Sequence, residues 1–171
     1  MEEKMKKPIV ENLQTSEQKS IPSTPDSSLD DLQFHYLIMQ TSRQVGRLHQ
    51  SRTAKIDLCP GQPKILQCLY EKRANTPKGI GQWCVLDKSS TTTLLKLMEQ
   101  KGLIERIPSE KDRRSCFIEL TLFGRQRAME VLEIGTEVDQ ISLKGLSQEE
   151  KKTLKELLDR VSHNAQEDMK K

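Results

Sequence analysis

Between Leu103 and Leu120 the chain leaves the helical hydrophobic period that governs most of it. Leu103-Ile104-Glu105-Arg106-Ile107 and Cys116-Phe117-Ile118-Glu119-Leu120 are short, strand-like runs. Between them lies Pro108-Ser109-Glu110-Lys111-Asp112-Arg113-Arg114-Ser115, a wholly polar loop containing a proline. That pattern predicts a two-stranded hairpin with a charged tip. With helical patterns on both sides of it, the chain is mainly α with one small β-hairpin.

The helices follow from apolar spacing and from their start signals. Ser28, followed by Leu29, Asp30 and Asp31, predicts an N-cap, with the two carboxylates suited to the positive end of a helix. Leu29, Leu32, Tyr36, Leu37, Met39, Val45 and Leu48 make a loose stripe to about residue 56. So long a helix needs a partner to cover that stripe. After the breaker Cys59-Pro60-Gly61-Gln62-Pro63, a short helix over Lys64–Lys72 turns Ile65, Leu66, Leu69 and Tyr70 inward, with both prolines placed in its first turn. A third helix is predicted from Pro77 to Leu86. A fourth, from Lys88 to Lys101, has Asp87 as its cap and Thr91, Leu94, Leu95 and Met98 on one face. A fifth begins after Thr121. The sixth begins after Ser147, which forms a Ser-x-x-Glu capping box with Glu150. Its apolar edge is Leu154, Leu157, Leu158, Val161, Ala165 and Met169. Residues 1–28 carry polar residues and three prolines with no apolar period, and read as a disordered tail or as an arm that folds on contact.

No stretch approaches the roughly 18 to 20 apolar residues of a membrane span, and the N-terminus lacks the apolar core of a signal peptide. A cytoplasmic location with reduced thiols is expected. Cys59, Cys68, Cys84 and Cys116 form no C-x-x-C pair and have no His at ligand spacing, so neither a metal nor any other cofactor is expected. Gly79-x-Gly81 is no phosphate loop, since it lacks the third glycine, a Lys-Ser/Thr ending and a preceding strand. No nucleophile–base pair or carboxylate pair stands out, which argues against an enzyme.

The overall charge of +3 conceals an uneven distribution. Residues 58–127 hold 13 Lys/Arg against 7 Asp/Glu, whereas the remainder is net acidic. A basic helix–helix–hairpin segment between long amphipathic helices fits a DNA-facing module between dimerising arms. A merely solvated mixed surface fits the charge equally well. A local rule violation separates the two readings. Ser89-Ser90-Thr91-Thr92-Thr93 opens a helix with five hydroxyl residues, all middling or poor helix formers. Places where local propensity loses tend to be functional. Such a turn suits a major-groove reader, although capping alone could also account for it.

The run from Asp87 to Gly124 resembles the multiple-antibiotic-resistance regulator (MarR) family of winged helix-turn-helix regulators. The resemblance is carried by Leu94-Leu95-Lys96-Leu97-Met98-Glu99-Gln100-Lys101-Gly102-Leu103-Ile104-Glu105-Arg106, by Asp112-Arg113-Arg114, and by Ile118-Glu119-Leu120-Thr121-Leu122-Phe123-Gly124-Arg125. It extends back to Pro60-Gly61-Gln62-Pro63 and forward to Gly145-Leu146-Ser147-Gln148-Glu149-Glu150, covering roughly residues 30–165. It implies a winged helix-turn-helix whose N- and C-terminal helices intertwine in a homodimer. The implied organisation is a tail over 1–28, a dimerisation helix over 29–57, a DNA-binding domain over 58–127 and C-terminal dimerisation helices over 128–171.

The resemblance further implies a repressor that binds a palindromic double-stranded operator and is released by a small-molecule effector. Ser89, Ser90, Thr92 and Thr93 would lie nearest the bases, with Lys96, Lys111 and Arg113 on phosphates. Arg114 would enter the minor groove, oriented by Asp112. Tyr36, Met39 and Arg43, at i, i+3 and i+7 of the first helix, are candidates for an effector pocket or for plain core packing. The family's peroxide-sensing branch uses a cysteine early in the first long helix, and residues 29–56 contain none. A thiol-sensing alternative therefore rests on Cys59, beside Lys55 and Lys64. A protein-interaction module that does not read DNA is the other alternative. Three departures stand out. Thr93 replaces a frequent Arg, Val85 replaces a common turn glycine, and Gly79 has no evident reason.

Overall fold

The computed structural model describes residues 33–108 and 116–169. The expected helix start at Ser28 and the tail over 1–28 lie outside them. Among the described residues, six α-helices and one hairpin follow in order: α1 (Phe34–Thr53), α2 (Gln62–Tyr70), α3 (Pro77–Cys84), α4 (Lys88–Gln100), β1 (Ile104–Pro108), β2 (Cys116–Leu120), α5 (Leu122–Ser142) and α6 (Gln148–Asp168). Gln33–Leu37 supply the opening turn of α1, and from Ile38 onward the chain is one compact unit.

Each start has a chemical cause. Thr76, Asp87, Thr121 and Ser147 are extended residues whose side-chain oxygens accept the backbone N–H three positions on. Ser147 and Glu150 complete the predicted capping box in both directions. Pro63 and Pro77 occupy first turns, where the missing N–H has no helical partner to lose. Pro60 falls just before α2, in the turn.

The ends differ more from expectation. α3 stops at Cys84 rather than Leu86, because Val85 turns left-handed at φ 54° and the Leu86 N–H reaches back to the Gly81 carbonyl at 2.9 Å. α2 stops at Tyr70 for the same reason. Lys72 is left-handed, and the Arg73 N–H returns to the Cys68 carbonyl at 3.0 Å.

The core forms where α2, α3, α4, the hairpin and α5 meet. Ile65, Leu66, Ile80, Leu95, Met98, Leu103, Ile104, Ile118 and Val131 are all essentially inaccessible. Each such side chain contributes about 1.5–3 kcal/mol relative to exposure. β1 and β2 pair antiparallel from Ile104 opposite Leu120 to Pro108 opposite Cys116. On the outer edge of β2, the Ile118 N–H donates to the Asn75 carbonyl at 2.7 Å, which joins the loop before α3 to the sheet.

Two glycines are required by close packing. A Cβ on Gly81 would stand 2.8 Å from Thr91 Oγ1, so α3 can lie against the start of α4 only without a side chain there. A Cβ on Gly124 would collide with the Leu103 carbonyl, so α5 starts directly against the root of the hairpin. Gly79, unexplained from sequence, has its reason in the cap. Its N–H donates to Thr76 Oγ1 at 3.1 Å, and a Cβ would crowd that oxygen at 3.0 Å and the Ala74 methyl at 3.1 Å.

The outer helices behave differently. α6 buries none of its residues, and Leu154, Leu157, Leu158 and Val161 stay exposed along one edge. In α1 only Thr53 is buried.

Candidate nucleic-acid interface

α4 is held by its inner face and left free on its outer one. Thr91, Leu95 and Met98 are buried. Ser89, Thr92, Thr93 and Lys96 are exposed, and Ser90 is half-buried. Their i, i+3 and i+4 spacings gather the four exposed residues on one face, so the fold brings together the set predicted on this helix except Ser90.

The first turn explains how so many hydroxyl residues can sit in a helix. Asp87 Oδ1 accepts the Ser90 N–H at 2.8 Å and the Ser89 hydroxyl at 2.6 Å, while its Oδ2 accepts the Ser90 hydroxyl at 2.6 Å. The bonds from Ser89 and then Ser90 hold the Asp87 carboxyl well below the usual carboxylate range. Thr91 donates its hydroxyl to the Asp87 carbonyl and Thr92 donates to the Lys88 carbonyl, each at 2.8 Å. These local bonds offset the poor propensity of the residues.

Hollows lie on both sides of this turn. One, of about 510 Å³, has Lys64 on its rim together with Ser89 and Thr93. The other, of about 500 Å³, is rimmed by Lys78, Gln82 and Lys88 beside Thr92. Lys64, Lys78 and Lys88 are exposed, and each lies in the first turn of its helix. They come from three helices, and sequence reasoning missed them because only the fold assembles them. The available signal was a lysine placed just after each helix start.

The root of the wing is tied to α4. Arg106 on β1 donates through Nε to Glu99 at 3.0 Å and through a terminal nitrogen to Cys116 Sγ at 3.6 Å. The Glu99 bond is the main cause of the raised Arg106 pKa. Lys111, Asp112, Arg113 and Arg114 lie outside the described residues. The ladder sets where the loop bearing them leaves and returns, at Pro108 and Cys116.

The other candidates are more dispersed. Tyr36, Met39 and Arg43 are all exposed on α1. Cys59 is exposed and Cys116 half-buried, whereas Cys68 and Cys84 are buried. Burial pushes the Cys68 thiol up and the Cys84 thiol up to about 12, so neither is a thiolate at neutral pH. Among the described residues no cluster of His, Cys, Asp or Glu could hold a metal, and no helix is long and apolar enough to cross a membrane.

Comparison with known proteins gives a consistent result. The MarR family profile matches residues 58–116. The chain is 33% identical over 126 residues to the organic hydroperoxide resistance transcriptional regulator of Bacillus subtilis, covering 73% of this chain and 82% of that protein. It is 33% identical over 132 residues to the HTH-type transcriptional regulator MgrA of Staphylococcus aureus, covering 77% and 88% of the two chains. Among solved structures, a cysteine-to-serine mutant of MarR from E. coli complexed with operator DNA superposes with a TM-score of 0.67 at 26% identity. That match covers 74% of this chain and 91% of the other.

Proposed function

This chain belongs to the MarR family and is a DNA-binding transcriptional regulator, and from that premise we propose that it acts as a homodimeric repressor of an inverted-repeat operator. The observation that carries this reading is the outward face of α4. Ser89, Thr92, Thr93 and Lys96 stand together there, free of the core, flanked by lysines from three helices. α4 enters the major groove with Ser89, Ser90, Thr92 and Thr93 toward the base edges. Lys96, Lys64, Lys78 and Lys88 meet phosphates, which fix position and supply most of the salt-dependent affinity. Lys111 and Arg113 do the same from the wing. Arg114 occupies the minor groove, with Asp112 orienting its guanidinium.

Dimerisation is supported by α6, whose leucine edge stays exposed among the described residues. A second copy supplies that cover, together with α1. Two α4 helices related by a two-fold then address half-sites about one helical turn apart. Release by a small-molecule effector completes the proposal.

The test is selection from a random double-stranded DNA library with the wild type and with Arg114→Ala. Enrichment of an inverted repeat, weakened in the variant, is the expected result. A folded dimer that enriches nothing would overturn this reading in favour of a protein-docking module.

A further inference from the structure

On the reading that α4 lies in the major groove, we propose that the Ser89 and Thr92 hydroxyls set its base preference, turned by the Asp87 carboxylate and the Lys88 carbonyl respectively into pure hydrogen-bond acceptors that select the amino groups of adenine or cytosine. A hydroxyl has one hydrogen and two lone pairs. An ionised carboxylate and a carbonyl oxygen only accept, so any hydroxyl bonded to one of them must spend its hydrogen there. Ser89 spends its hydrogen on Asp87 Oδ1 at 2.6 Å, in the short range of charge-assisted O–H···O⁻ bonds. Thr92 spends its hydrogen on the Lys88 carbonyl at 2.8 Å. Ser90 is committed to Asp87 Oδ2 and Thr91 to the Asp87 carbonyl. The Asp87 carboxyl, held well below its usual range by these bonds, keeps its charge at any physiological pH.

What Ser89 and Thr92 offer outward is therefore lone pairs and, from Thr92, a methyl group. In the major groove, adenine N6 and cytosine N4 are the donors, whereas guanine N7 and O6 and thymine O4 are acceptors. Lone pairs on Ser89 and Thr92 pair with the first set and repel the second. At Ser89 the bonded Asp87 charge strengthens the bias. Phosphate oxygens also only accept, so these two hydroxyls are excluded from the phosphate contacts that would otherwise be their commonest use. Thr93, with no hydrogen-bond partner among the described residues, keeps its hydrogen free and is the hydroxyl of this turn able to donate to a phosphate, guanine or thymine.

The experiment compares the base preferences of wild type, Ser89→Ala, Thr92→Val and Asp87→Gly by selection from a random duplex library, with thermal unfolding of each as a folding control. Glycine is tolerated at an N-cap and removes both carboxylate oxygens, which frees the Ser89 hydrogen. The expected wild-type half-site has adenine or cytosine at the positions that Ser89→Ala and Thr92→Val relax, each by about fivefold, the low end for one base-edge contact. Asp87→Gly, folded, admits guanine or thymine at the Ser89 position. Guanine or thymine preferred by the wild type at the Ser89-dependent position would overturn the proposal while leaving groove reading intact. An unchanged Asp87→Gly profile would do the same. No enrichment by the wild type would overturn both.

Discussion

Gly124 lies so close to Leu103 that a single methyl group on its Cα would occupy the space of the Leu103 carbonyl oxygen. The obstacle is backbone on a strand lead-in, with no side chain to swing aside. Gly124→Ala should therefore destabilise the fold by about 3 kcal/mol, the upper part of the range for overpacking. Urea denaturation monitored by circular dichroism checks this, and a loss below about 1 kcal/mol would mean that the junction yields.

Val85 holds the opposite kind of strain. It is left-handed and 79% exposed, so its side chain gains little from packing. The left-handed conformation costs a β-branched residue about 1–2 kcal/mol, partly offset by the entropy that glycine adds to the unfolded chain. Val85→Gly should raise stability by roughly 0.5–1 kcal/mol. The denaturant midpoint should shift upward with an unchanged slope.

Acid should weaken the fold through His49. Burial, acting first, and Lys64 lower its pKa, against an opposing pull from Asp139. The unfolded chain then takes up the proton more readily than the folded one. The stabilisation is complete above about pH 6.5 and is lost as pH falls through the lowered folded value. In His49→Gln, the fall in melting temperature between pH 7 and pH 5 should shrink. An identical fall in both proteins would assign the acid sensitivity elsewhere.

Salt dependence separates positioning from reading on α4. Lys96→Ala should reduce the slope of log affinity against log salt by about one, since each phosphate contact contributes about 0.9. It should weaken specific and random duplexes alike. A changed sequence preference with an unchanged slope would make Lys96 a base reader.

The leucine edge of α6 gives a direct test of assembly. Leu158→Glu places an unpaired charge where a second copy is expected to pack, and should weaken self-association by at least about tenfold. Because no residue of α6 is buried among the described residues, the folded core should keep its thermal transition. Sedimentation of the variant as a dimer would exclude this edge as the interface.

Much of this architecture was legible because the signals were local. The hairpin strands fall within one residue of their predicted bounds, since the change of period and the polar loop between them require no knowledge of the rest. Asp87 and Ser147 announced their helices through capping chemistry confined to three residues. The end of α3 was less legible because the turn needs a left-handed residue, and Val85 disguises a position where glycine would have been a signal. The purpose of Gly79 became visible only with the backbone that brings Ala74 and Thr76 against it. Lys64, Lys78 and Lys88 are far apart in the chain, and only the folding of α2, α3 and α4 around one core makes them neighbours of a single turn.

Thr121 carries a consequence that reaches past the cap it forms. Its hydroxyl donates to the Gly102 carbonyl at 2.6 Å and accepts the Gly124 N–H at 2.9 Å, while its own N–H donates to the Leu103 carbonyl at 3.2 Å. One residue thus braces the exit of α4, the hairpin root and the entrance of α5, in the place where Gly124 leaves no slack. Such a corner works as a rigid bracket. The hairpin root and the entrance of α5 are bonded through the same residue, so a tilt of the long helix bears directly on the root of the hairpin.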